Sequence, residues 1–270
     1  MSDPYLARLV EIWKQACGDF VALVRDLPED AGDLPTDLPG WSVRDNLAHT
    51  AHLEAVLAGA PEETVEVAEA THLTSLTHYY TEQGVLARRG RTLDDLADEL
   101  EAAVGTRTAE LAADQPTDPE ASATRTPGGV AWSWDTLLTN RPLDVWMHEQ
   151  DVRRAVGRPG GYDGPVADHV LEVFARALPM IWGKRVGAPA ASTMRIVLSD
   201  RDGEQHTVRI GEDGRAARAD DATPSTTITL TGEDYVVLSG GRRTPAETGA
   251  SVEGDAELGA RLLAAMAITP

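Results

Sequence analysis

Asp144 and His148 stand four residues apart in LDVWMHEQDVRRAVG, residues 143–157, a spacing that puts a carboxylate and an imidazole on one side of a helix. At 100° per residue both fall beside the apolar stripe of Leu138, Val145, Val152 and Val156, whereas Glu149, Gln150, Arg153 and Arg154 point elsewhere. A carboxylate turned inward costs several kcal/mol, of order 3–5, unless something pairs with it. Among the seven histidines, His72, His78, His169 and His206 read as surface or boundary residues. In GWSVRDNLAHTAHLEAVL the apolar face is centred on Val43, Leu47, Leu53 and Leu57. His49 lies roughly 80° from that face and is expected to reach the interior; His52, roughly 140° away, is not. An imidazole from one helix and a carboxylate with an imidazole from a facing helix make a three-ligand divalent-metal site with open positions, the arrangement of a catalytic centre. The competing reading is an ordinary i, i+4 hydrogen-bonded pair beside an unrelated core histidine. Asp151, one turn beyond His148, is suited to orient an imidazole or bind Arg141, but a solvated aspartate is the commoner outcome.

These residues need elements to hold them. Asp3 caps a first helix with Leu6, Leu9, Val10, Trp13, Phe20 and Val24 at helical spacing, ended by Leu27-Pro28. Ser42 with Asp45, and Thr92 with Asp95, have capping-box spacing and open helices to about Gly59 and from about 93 to 113. Residues 60–90 carry no firm periodicity beyond a partly helical stretch around LTSLTHYY. A turn-rich segment, QPTDPEASATRTPGGVAW, leads to the helix of the opening stretch, which ends at Gly157; Pro142 either kinks it or marks its first turn. Four principal helices suggest a four-helix bundle over residues 1–160. Beyond RPGG the period changes. Residues 165–182 read as a helix, STMRIVLSD, QHTVRIG and TTITLTG alternate as strands, and GEDYVVLSGG and DAELGARLLAAMAI read as short helices. Residues 162–270 are therefore a smaller α+β domain, with GRAARADDATPST as a loop.

Composition bounds the function. The 270 residues include 24 Lys+Arg against 44 Asp+Glu, a formal charge of −20, which argues against nucleic acid or an anionic membrane as partner. Cys17 is the only cysteine, so an intramolecular disulfide and a Cys-rich metal site are both excluded. The Gly-Gly pairs lie in no strand-GxGxxG-helix context. With no basic n-region or long apolar run, the expectation is a cytoplasmic protein. Trp41 reads as a staple onto the bundle rather than a pocket wall.

The stretches GWSVRDNLAHTAHLE, RPLDVWMHEQDVRRAVGRP and VEGDAELGARLLAAMAITP resemble the signature regions of the mycothiol-dependent maleylpyruvate isomerase family, within the DinB-like metal-binding bundles. The resemblance implies a DinB-like four-helix bundle holding a zinc ion, followed by a sterol-carrier-like α+β domain. It places the metal on His49, Asp144 and His148, with aspartate standing at 144 where the family usually has glutamate. It also implies mycothiol as cosubstrate, whose thiolate would add to the cis double bond of maleylpyruvate, allow rotation and leave, or in other members be transferred to an electrophile. Arg242 and Arg243, in LSGGRRTPAE, resemble a region where the family carries an arginine near the site; they are candidate cations for the substrate carboxylate, with a solvated basic pair as the alternative. Two other functions stay open: a bundle hydrolase whose metal activates water, and a non-enzymatic module that binds an apolar ligand or a protein.

Overall fold

The computed structural model describes residues 3–219 and 222–269. Met1, Ser2 and Pro270, and Asp220 and Asp221 of the expected loop, lie outside the described residues. The chain forms two compact units, Met1–Val170 and Leu171–Pro270. Among the described residues no helix is long and apolar enough to cross a membrane.

The first unit is built on four long helices. Helix α1 (Pro4–Arg25) starts where the Asp3 carboxylate accepts from the amides of Tyr5 and Leu6, with proline in the first turn, where a missing N–H costs nothing. It buries Leu6, Leu9, Trp13, Phe20 and Val24, as their spacing requires. Helix α2 (Val43–Leu57) and, after α3 (Leu76–Leu86), helix α4 (Leu93–Ala113) both open with complete capping boxes, Ser42 with Asp45 and Thr92 with Asp95. Helix α5 (Trp134–Ala155) is capped by Ser133. Each of α1 and α2 packs against both α4 and α5, which closes the four-helix arrangement, and α3 adds a fifth helix against α2.

Of the two readings of Pro142, the structure bears out a place inside the helix, since α5 begins at Trp134. One expectation is corrected. Helix α2 is buried along its whole length, including Arg44, Asp45, Asn46, His52 and Glu54. A helix covered on several sides has no solvent face on which to place its polar residues, so each of them needs a partner.

The second unit is a mixed sheet with helices. Helix α6 (Pro165–Met180) runs across the division between the units and continues into a π-helical turn at Ile181–Arg185. Strands β1 (Thr193–Leu198), β2 (Gln205–Ile210), β3 (Ala216–Arg218), β4 (Thr226–Leu230) and β5 (Ser251–Gly254) lie in the order β3-β2-β1-β4-β5. Among the described residues only β1 and β4 are parallel, with Ile196 opposite Ile228; β1 pairs antiparallel with β2, with Ile196 opposite His206. Met194, Ile196, Leu198, Val208, Ile210, Ile228 and Leu230 are buried in the period-2 manner, and α8 (Ala256–Ala265) packs on β4 and β5. Helix α7 (Gly232–Ser239) follows β4 and is capped by Thr231.

Candidate metal centre

Helices α2 and α5 bring His49, Asp144 and His148 together. Asp144 lies between the two imidazoles, its Oδ2 3.4 Å from His49 Nε2 and its Oδ1 3.6 Å from His148 Nε2. The two rings meet edge-on at 4.6 Å, and one ligand atom from each of the three residues lies within 4.8 Å of the others. For ligand bonds of about 2.1 Å at tetrahedral angles, neighbouring donor atoms sit about 3.4 Å apart. The donor set therefore fits a divalent cation in both spacing and chemistry: two imidazole nitrogens and one carboxylate.

The surroundings prepare those donors. Asn46, one turn before His49, spends its amide N–H groups on the Ser42 carbonyl at 2.9 Å and Thr36 Oγ1 at 3.2 Å, so its carbonyl oxygen faces His148. His148 Nδ1 donates to that oxygen at 2.8 Å, which leaves the Nε2 lone pair turned toward Asp144. Burial pushes the His49 imidazolium down to about 4, against the pull of Asp144, so this ring is neutral near pH 7. Burial also opposes a charged His148, but hydrogen bonds to Asp144 and Asp151 outweigh it and raise its value. Asp144 resists desolvation because Arg141, and then His49, hold its carboxyl well below the usual carboxylate range.

The sequence expectations for Asp151 and His52 are corrected. Asp151 is fully buried, 3.6 Å from His148 Nδ1 and paired with Arg154, so it supports the imidazole instead of meeting solvent. His52 is 1 % exposed, with neither ring nitrogen hydrogen-bonded among the described residues, and packs so closely on α3 that a Cβ at Gly84 would lie 2.1 Å from its ring. Glu149 and Gln150 are likewise buried. In each case a wheel with one inner face failed because α2 and α5 are covered on more than one side.

Trp41 does not act as a simple staple. Its ring lies 5.0 Å from that of His49 and 5.7 Å from that of His148, and its indole N–H donates to Glu82 on α3 at 2.8 Å. It is an aromatic wall beside the two imidazoles. The sequence reading also missed Glu54, which is fully buried and accepts from Arg141 Nε at 2.8 Å and from Arg107 Nη1 at 3.3 Å. A signal was present: Glu54 stands seven residues after Leu47, within about 20° of it on the helix, and so on the apolar face. Arg141 joins this pair to the centre by donating to Asp144 Oδ2 at 2.9 Å. Arg242 and Arg243 belong to the second unit and follow α7; Arg242 donates to the Gly240 carbonyl at 2.7 Å.

Two family profiles match the chain: the mycothiol maleylpyruvate isomerase N-terminal domain over residues 13–153 and the MDMPI C-terminal domain over residues 168–261. Among solved structures, the fold is similar to a mycothiol-dependent maleylpyruvate isomerase, with TM-score 0.57, 15 % identity and 92 % of each chain covered. A point mutant of such an isomerase is similar to the same degree, with 91 % of this chain and 92 % of that chain covered. No curated protein matches.

Proposed function

The chain belongs to the mycothiol maleylpyruvate isomerase family, and from that premise we propose that it is an enzyme that uses mycothiol, or a closely similar low-molecular-weight thiol, to isomerise a small electrophilic substrate or to add the thiol to it. The observation that carries this reading is the convergence of His49, Asp144 and His148 in a chain whose one cysteine is buried. Cys17 is buried, and burial raises its thiol well above the ordinary value, so it stays protonated near pH 7. The attacking sulfur must then arrive with a cosubstrate.

His49, Asp144 and His148 would hold a divalent cation, with zinc favoured by two imidazoles and one carboxylate. A cation there supplies Lewis acidity that keeps a thiol deprotonated near neutral pH. Asn46 and Asp151 hold the His148 ring in its orientation, and the Asn46 contact sets the tautomer in which Nε2 is free to donate its lone pair. Trp41 shields the imidazoles on one side and limits water there. In the isomerisation, the thiolate forms a C–S bond to the cis double bond of maleylpyruvate, the electron pair moves into the adjacent carbonyl as an enolate, and rotation follows about the new single bond. Return of the electron pair expels the thiolate and leaves the trans alkene, so the thiol is not consumed. In an S-transfer the C–S bond remains and the thiol is used up. Arg242 and Arg243 are the proposed cations for the substrate carboxylate, on the chemistry of the guanidinium group.

The test is to supply mycothiol and maleylpyruvate to zinc-loaded protein and follow both. A thiol requirement without thiol consumption identifies isomerisation; joint loss into an adduct identifies S-transfer. Turnover that ignores added thiol would overturn the reading in favour of a metal-water hydrolase.

A further inference from the structure

Three buried charges and a half-buried fourth run in a line through the helical unit: Arg107 on α4, Glu54 on α2 and Arg141 on α5, then Asp144 on α5. Glu54 has no exposure at all, and its two carboxylate oxygens go to different arginines. Arg141 is 1 % exposed and is held at both ends, its Nε by Glu54 Oε1 at 2.8 Å and its Nη1 by Asp144 Oδ2 at 2.9 Å. Arg141 thus holds the Asp144 carboxylate through Oδ2, the oxygen nearest His49, while Oδ1 faces His148.

From this geometry we infer that Arg141, fixed across the helix interface by Glu54, is a positioning residue that aims the short Asp144 carboxylate at the two imidazoles. The inference rests on the proposed metal site. Aspartate has one rotatable bond fewer than glutamate and a shorter reach, so the same helix separation leaves little slack in where its oxygens can lie. A guanidinium presents its donors in a rigid planar fork, and one whose Nε is already held by Glu54 has little freedom left in Nη1. Arg107 sits at the other end of the line. It stacks over Trp13 at 5.0 Å and balances the charge of Glu54, but it does not touch Asp144. The line therefore divides into an aiming arm, Glu54 and Arg141, and a counterweight, Arg107.

The experiment measures zinc affinity by competition with a chromophoric chelator, on the full chain, with circular dichroism to confirm that each variant is folded. Arg141→Lys keeps the positive charge and loses the fork; it should weaken zinc binding about 10- to 100-fold, the range for loss of a group that orients a ligand. Adding Asp144→Glu to Arg141→Lys should restore most of that loss, because the longer carboxylate no longer depends on the grip. Arg107→Lys disturbs the same buried line and lowers the melting temperature, but should leave affinity near that of the parent. Should Arg141→Lys fail to fold, Glu54→Met, which keeps the length of the side chain and offers Arg141 Nε no oxygen, is expected to show the same weakening. A folded Arg141→Lys or Glu54→Met with parental affinity would overturn the inference. So would equal weakening by Arg107→Lys, since affinity would then follow the stability of the core and not the aim of Asp144. A parent protein that binds no zinc would instead remove the metal site itself, a result distinct from either of these.

Discussion

The two units bury different kinds of residue. Among the described residues the core of the first unit holds Arg44, Asp45, His49, His52, Glu54, Glu82, Arg88, Arg107, Arg141, His148, Glu149 and Asp151, whereas the buried polar residues of the second are Ser192, Thr193, Thr207, Thr226 and Ser239. Hydroxyls can meet their needs from nearby backbone, as Thr226 does by donating to the Asp255 carbonyl at 2.9 Å. Charges cannot, and a core full of them demands matched partners from several helices. The first unit supplies these partners, and the line they form reaches the candidate centre where Arg141 meets Asp144. The difference teaches where the chemistry is expected: the second unit is held by apolar packing on a sheet, and the first gives up part of its stability to bury charged groups around the candidate centre.

That contrast can be broken most forcefully at Glu54. Glu54→Leu strands two buried guanidinium groups and should cost about 3–5 kcal/mol in urea unfolding; a cost below about 1 kcal/mol would show that the buried charges relax to solvent. In the second unit the corresponding centre is apolar. Ile196→Ala, at a fully buried position in β1, should cost about 2–4 kcal/mol and leave zinc affinity unaltered. A loss of affinity there would mean that the two cores are not independent.

Smaller changes sharpen the picture. Asn46→Ala removes the acceptor for His148 Nδ1, and should weaken zinc binding about 10-fold or more while the helices remain. At the rim of the first unit, Glu99 accepts from Arg88 at 2.7 Å and also pairs with Arg91. Burial would raise its value, but these arginines, Arg88 foremost, hold it below the ordinary carboxylate range. Its folded value is depressed, so its contribution is fully present above the ordinary glutamate pKa and is lost as pH falls through the folded one. Glu99→Gln should therefore cost about 1 kcal/mol or less near pH 7 and nothing in strong acid. A difference that persists in acid would assign the effect to packing.

How far the sequence could be read follows from the range of the forces involved. The capping boxes at Ser42 and Thr92 are set within four residues, and the helices they open are those expected. The alternation of β1, β2 and β4 is equally local. Strand β3 spans three residues and β5 exposes nearly all of its side chains, so neither carries an apolar alternation; both exist because they pair with the edges of a sheet formed elsewhere. Helix α3 shows only a partly helical pattern in the sequence, because it is held by packing on α2, with Gly84 admitting the His52 ring. At the centre itself, the inward turn of His49, Asp144 and His148 followed from helical spacing. The burial of His52, Asp151 and Glu54 did not, because a single helix cannot reveal how many neighbours will cover it.

The most direct test of the account is the stoichiometry and affinity of zinc measured by titration calorimetry on the parent chain and on a variant carrying His49→Ala, Asp144→Ala and His148→Ala together. The account predicts about one ion per chain for the parent and none for the folded triple variant. Undiminished binding by the triple variant, or no binding by the parent after reconstitution, would contradict it.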